Sequence, residues 1–191
     1  MAAMMLPSAA PMVQLFARSA GAQSPSRSTA LSTSVFATGY LAVWTAFSAL
    51  ATLAQWGLLE VRLVTPMMES ANRWLSGGLL IGAGAFQFTR FKDGCLSKCR
   101  SPLGFLLTEW RPGVRGAFVM GIRHGTYCAG CCAMLMLLLF VLGVMNLAWI
   151  AVLTLVVLAE KYLPVDGAWP SRILGAGLAV WGGYLLLAAQ G

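Results

Sequence analysis

Of 191 residues, 59% are apolar and 10% are charged, with a formal net charge of +7. A soluble domain averages roughly 25% charged and 45–50% apolar residues, so this balance excludes a disordered chain, a nucleic-acid-binding domain and an ordinary soluble enzyme. It fits an all-α, polytopic transmembrane helical bundle, in which the placement of basic residues matters more than their total.

The opening stretch, Met1 to Phe16, is apolar but carries Pro7 and Pro11. It reads as a span over about 1–17, the end of a helix whose first half lies ahead of this chain. No Lys or Arg precedes Arg18, so the positive start of a cleavable signal peptide is missing. Ser24 to Ser34 reads as a short solvated linker. A bilayer crossing needs about 20 mostly apolar residues, and Val35 to Leu59 meets this without a charge. Trp74 to Phe88, rich in glycine and extended back to Ala71, gives a span over 71–90. The run from Gly116 to Leu163 is too long for one crossing. It divides near Gly143 and Asn146 into spans over 114–142 and 146–162, and a last span covers 172–189. The expectation is one integral membrane domain over 1–191, with about five to six spans and a Cys-containing loop at 91–113.

If the first segment crosses, ten of the 13 Lys and Arg, between Arg18 and Arg172, fall on one side. Arg62 and Arg73 fall on the other, and Arg123 lies within a span. This bias places the 91–113 loop in the cytoplasm and the C-terminus outside. Tyr40, Trp56, Trp74, Trp110 and Tyr162 fall near span ends, where amphipathic rings settle, while Trp44 and Trp181 lie deeper and read as packing residues. Glu60 and the Glu160–Lys161 pair read as interfacial.

All five cysteines lie between Cys95 and Cys132, and the single histidine, His124, lies among them. His124, Cys128 and Cys131 stand at i, i+4 and i+7 and so share one helical face. Met120 joins them at i−4, and Cys132 sits at the edge of that face. His124 lies roughly 15 Å along the span, which puts the cysteines near mid-bilayer. Gly121 and Gly125 form a small-xxx-small pair through which another helix can approach closely. Thiolate, thioether and imidazole together select copper(I) or zinc. Copper(I) with one thiolate and neutral His or Met ligands is uncharged, as is zinc with two thiolates. Copper(I) with two thiolates carries −1, which Arg123 can offset. Ten methionines, including the adjacent Met4 and Met5, favour copper(I). Cys95 and Cys99, at i and i+4, are flanked by Lys92, Lys98 and Arg100, cations expected to favour the thiolate. They read as a point of metal uptake or transfer, or as an incidental thiol pair. The plainer readings are methionine as packing, His124 as a satisfied buried polar group, and Arg123 as a cation snorkelling towards headgroups.

The string Met120–Gly–Ile–Arg–His124–Gly–Thr–Tyr–Cys128–Ala–Gly–Cys131–Cys132, with Leu135–Met136 and Gly143–Val–Met–Asn146–Leu beyond it, resembles a known bacterial family. This is the family of predicted metal-binding integral membrane proteins, a domain of unknown function whose members are often labelled copper chaperones. Cys95–Leu–Ser–Lys–Cys99–Arg–Ser–Pro102–Leu and the opening Ala3–Met4–Met5–Leu6–Pro7 also match. Ala133 and Arg90 depart from the family pattern, but neither is a proposed ligand. The resemblance implies a multi-span helical protein of the bacterial inner membrane, bound metal and no established catalytic activity. It also implies the ligands Cys95, Cys99, His124, Cys128, Cys131 and Cys132, with Met4 and Met5 behind them. The functional expectation is a copper(I)-binding protein that holds copper or passes it on. Its partners would be the lipid bilayer and a copper enzyme or soluble copper carrier, with no nucleic acid. The alternatives are a metal or small-solute transporter, a membrane thiol oxidoreductase using Cys128–Cys131, Cys131–Cys132 or Cys95–Cys99, and a structural subunit of a membrane complex.

Overall fold

The computed structural model describes residues 2–23, 27–62, 72–143, 146–163 and 169–188, and every regular element among them is helical. In chain order these are α1 (Ala2–Gln23), α2 (Arg27–Glu60), α3 (Arg73–Phe86), α4 (Arg90–Arg100), α5 (Pro102–Glu109), α6 (Gly113–Leu137), α7 (Leu139–Leu142), α8 (Leu147–Tyr162) and α9 (Trp169–Leu187). The chain is therefore all-α. Each segment read as a span is helical over most of its length. Among the described residues, 29–60 and 113–142 are long and apolar enough to cross a bilayer.

The boundaries differ from expectation where polar residues bond locally to the backbone. The span expected over 1–17 continues to Gln23, with Pro7 and Pro11 inside the helix. In the expected linker, 24–26 lie outside the described residues, and from Arg27 the chain is already α2. There the Thr33 and Thr38 hydroxyls donate to the carbonyls of Thr29 and Ser34, so polar side chains are accommodated within the helix. In the 71–90 segment, residue 71 lies outside the described residues and α3 ends at Phe86. The chain turns through Gln87, and Thr89 Oγ1 then accepts from the Lys92 amide at 3.3 Å at the start of α4. The 91–113 loop is mostly two short helices. Ser101 Oγ accepts from Gly104 N, and Pro102 sits in the first turn of α5, where its missing N–H costs nothing. The break expected near Gly143 and Asn146 is present: Asn146 Oδ1 accepts from the amides of Ala148 (3.1 Å) and Trp149 (3.5 Å), starting α8.

The helices divide into two compact units, one of Met1–Ser48 with Gly94–Cys131 and one of Ala49–Asp93 with Cys132–Gly191. In the first unit, α2 and α6 meet backbone to backbone. A Cβ on Gly121 would collide with the Phe36 carbonyl oxygen, and one on Gly39 would lie 2.5 Å from that of Phe118. Gly125 packs on Val43. This close approach turns the stripe Phe36, Tyr40 and Trp44, spaced one helical turn apart, into the interior, where all three are buried. Met12 and Phe16 of α1, Phe105 and Leu106 of α5, and Ala117 and Met120 of α6 complete the core around Phe36. The Phe16 and Phe36 rings stack at 4.7 Å.

In the second unit, glycines work the same way between α3 and α9. A Cβ on Gly84 would lie 2.7 Å from the Gly175 carbonyl oxygen, and one on Gly182 would lie 2.8 Å from that of Gly77. Lys92 of α4 is fully buried here and donates to both carboxylate oxygens of Glu160 on α8, at 2.7 and 2.9 Å, and to Gln87 Oε1. Glu160 and Lys161, expected as an interfacial pair, lie at the end of α8 and are both buried within the protein, and the ion pair of Glu160 runs to Lys92. The partner of Glu160 comes from 68 residues away, because a buried carboxylate needs a charge at contact distance.

Candidate metal centre

α6 opens at Gly113, whose φ of +80° suits glycine, and it carries the His–Cys string along its inner face. Met120, His124, Cys128 and Cys131 are each no more than 3% exposed, so the helical spacing does bring one face inward. Cys132 is buried as well. None of the five cysteines is in a disulfide.

Each donor meets a specific surrounding. The His124 ring is bordered by Phe105 edge-on at 5.4 Å, Tyr40 at 5.9 Å and Phe36 at 6.2 Å. Cys128 Sγ lies 3.3 Å from the Tyr40 hydroxyl. Cys131 Sγ donates to the Cys128 carbonyl at 3.1 Å, within the helix. Met120 Sδ accepts from the Arg111 amide at 3.3 Å and so ties the approach to α6 back onto its second turn. In α1, Met5 is buried and Met4 half-buried. The Met5 carbonyl accepts from Tyr40 at 3.0 Å and from Ser8 Oγ at 2.9 Å.

The second cysteine group lies on α4. Cys95 is buried and Cys99, one turn on, is half-buried. Burial first, and the proximity of Cys131 second, push the Cys95 thiol above its ordinary pKa. The structure thus brings Cys95 within electrostatic range of Cys131, linking the two groups that are separate in sequence. It also corrects the expectation that neighbouring cations favour the Cys95 thiolate. Lys92 is spent on Glu160 and Gln87, and loss of solvent outweighs the remaining positive charge. Arg123 is likewise accounted for, because it pairs with Glu109 of α5. Its side chain is 42% exposed, which leaves the snorkelling reading open.

Among the described residues, no three His, Cys, Asp or Glu side chains converge closely enough to hold an ion. The donors share a face and a neighbourhood without forming a ready-made cage. Two features escaped the sequence reading. Tyr40, expected at a membrane interface, is 1% exposed and bonded to Cys128 and Met5. Its signal was the four-residue repeat Phe36–Tyr40–Trp44. The Lys92–Glu160 pair had no sequence signal beyond the rarity of charge.

An imidazole and five thiols set among apolar helices define a helical protein equipped with soft metal donors. The chain belongs to the PpoB2 copper chaperone family, whose model matches residues 1–185. The resemblance carried by the His–Cys string therefore extends over almost the whole chain. No curated protein and no solved structure matches it.

Proposed function

We propose that this protein is a multi-pass protein of the bacterial inner membrane that binds copper(I) and holds it or passes it to a copper enzyme or soluble carrier. In this reading the helices at all the expected spans lie in or against the bilayer, and 91–113 faces the cytoplasm. The observation that carries it is the buried row His124, Cys128 and Cys131 on a helical stretch, 113–142, long and apolar enough to cross a membrane. Membership of a copper chaperone family supports the same reading. Thiol and imidazole donors suit copper(I), and a one-thiolate copper(I) assembly adds no net charge to an apolar interior, where charge is costly. Zinc needs two thiolates for the same neutrality. In this reading Cys95, within electrostatic range of Cys131, adds or exchanges a thiol ligand, with Cys99 as the more accessible partner at the cytoplasmic end. Cys132, Met120, Met4 and Met5 are the remaining donors.

Protein purified in detergent from copper-supplied cells is expected to carry copper(I), and Cys128→Ser combined with Cys131→Ser is expected to lose most of it. Serine keeps the volume but offers a hard, weak ligand. Metal-free protein whose Cys128 and Cys131 cycle between thiol and disulfide would overturn this reading in favour of a thiol oxidoreductase.

A further inference from the structure

The reading of Cys128 as a copper ligand leaves Tyr40 unexplained. Its buried hydroxyl lies between two different helices, donating to the Met5 carbonyl of α1 at 3.0 Å and standing 3.3 Å from Cys128 Sγ of α6, a contact in which either group can donate. A phenol has one proton to give. We propose that Tyr40 is a positioning residue that couples cargo on Cys128 to the fastening of α1, by moving its hydrogen bond from Met5 to the sulfur when copper(I) binds. The inference rests on the proposed copper site and deepens it.

The argument is one of competing acceptors. A thiol sulfur is a weak acceptor and a peptide carbonyl a good one, so without cargo the Tyr40 proton lies on Met5. When copper(I) binds, the sulfur–metal bond forms, the S–H bond breaks and the proton leaves to solvent. No electron is transferred, and copper stays copper(I). The metal-bound sulfur has lost its own proton and carries more negative charge than the thiol did, although the assembly as a whole is neutral, so it is the better acceptor of the two states. The hydroxyl then turns to the sulfur.

Two features keep the turn inexpensive. The Met5 carbonyl retains the Ser8 hydroxyl at 2.9 Å, so losing Tyr40 does not strand it. The Tyr40 ring is held by its neighbour Gly39, whose backbone lies against Phe118, and by the His124 ring at 5.9 Å. Rotation about the C–O bond therefore suffices, and the ring need not move. What changes is the tie between α1 and α2. The segment carrying Met4 and Met5 is held while Cys128 is empty and loosened when Cys128 is loaded.

Amide hydrogen exchange of α1, read by mass spectrometry on the full chain in detergent with and without one equivalent of copper(I), tests this. In the unaltered protein, loading is expected to speed exchange in the first turns of α1 on the order of fivefold, the loss of one neutral hydrogen bond. Tyr40→Phe should exchange at the faster rate in both states, with copper(I) making no further difference. A purely structural Tyr40 would give the variant its fast exchange but leave the unaltered protein indifferent to copper. Unchanged or slower α1 exchange in protein that holds copper through Cys128 overturns the coupling and leaves the copper site standing. Copper uptake that Cys128→Ser does not reduce overturns the site and the coupling together. The comparison within the unaltered protein needs no variant, so a Tyr40→Phe protein that fails to fold does not shelter the proposal.

Discussion

The first unit buries an imidazole, thiols and a phenol, groups that need carry no charge, whereas the second buries a full ion pair, Lys92 with Glu160. Both rely on glycines that let helix backbones touch, α2 with α6 in one case and α3 with α9 in the other. On the proposed multi-pass reading such close packing matters the more, because helices in hydrocarbon gain little from hydrophobic burial. The polar groups differ in what they leave open. A thiol can accept a cation by giving up its proton, so on the proposed copper(I) reading the first unit takes on cargo without a lasting charge. The ion pair is already balanced, and removing or adding a charge there leaves a partner uncompensated. One interior is open to chemistry and the other is closed by it.

Four measurements break or sharpen this contrast. The largest effect is expected in the closed interior. Glu160→Gln strands the Lys92 ammonium and should cost about 3–5 kcal/mol, read as a lowered Tm in detergent. Adding Lys92→Met should recover much of the loss, and a double variant no better than the single would show that the pair is not the unit of stability. Next come the glycines. Gly121→Ala drives a methyl into the Phe36 carbonyl and should destabilise by about 1–3 kcal/mol. Gly78→Ala, on a side of α3 where an added Cβ meets nothing, should stabilise by up to about 1 kcal/mol. Equal effects at the two sites would deny the close crossing. Within the open interior, His124→Leu should fold and insert normally yet bind copper(I) on the order of tenfold more weakly, as a competition assay against a chelator would read. Unaltered affinity would remove His124 from the site. The smallest effect concerns Cys95. Its raised pKa leaves less thiolate at any given pH, so its alkylation should be slower than that of a free cysteine and should set in at higher pH. Cys131→Ser should move the profile part of the way back, since burial remains when the like charge is gone.

The helices themselves were legible because long apolar runs have few alternatives. Val35 to Leu59 could hardly be anything but helix, and the Gly143–Asn146 break announced itself through a glycine and a capping asparagine. The inward face of α6 was legible for the same reason: three- and four-residue spacing fixes which side chains share a side. α4 and α5 were not, because short amphipathic helices leave a weak periodic signal and depend on local caps such as Ser101. Pairings across the chain were illegible in principle. Nothing in the neighbourhood of Lys92 points to Glu160, and nothing near Tyr40 points to Cys128, 88 positions away. Spacing therefore located the inward face of α6, while folding alone decided that Cys95 lies within electrostatic range of Cys131 and that Arg123 pairs with Glu109.

The completeness with which Cys128 and Cys131 are shut away, at 0% and 2% exposure, has a kinetic consequence. An ion arriving by diffusion cannot strike a sulfur that solvent does not touch, so capture waits on transient separation of the helices, whose frequency is set by local stability. Uptake should then saturate as donor concentration rises, and the lifetime of bound cargo should follow the breathing of α6 against α2. On the proposed copper reading, a row of donors sealed in this way gains retention at the expense of speed, the property expected of a keeper more than of a channel.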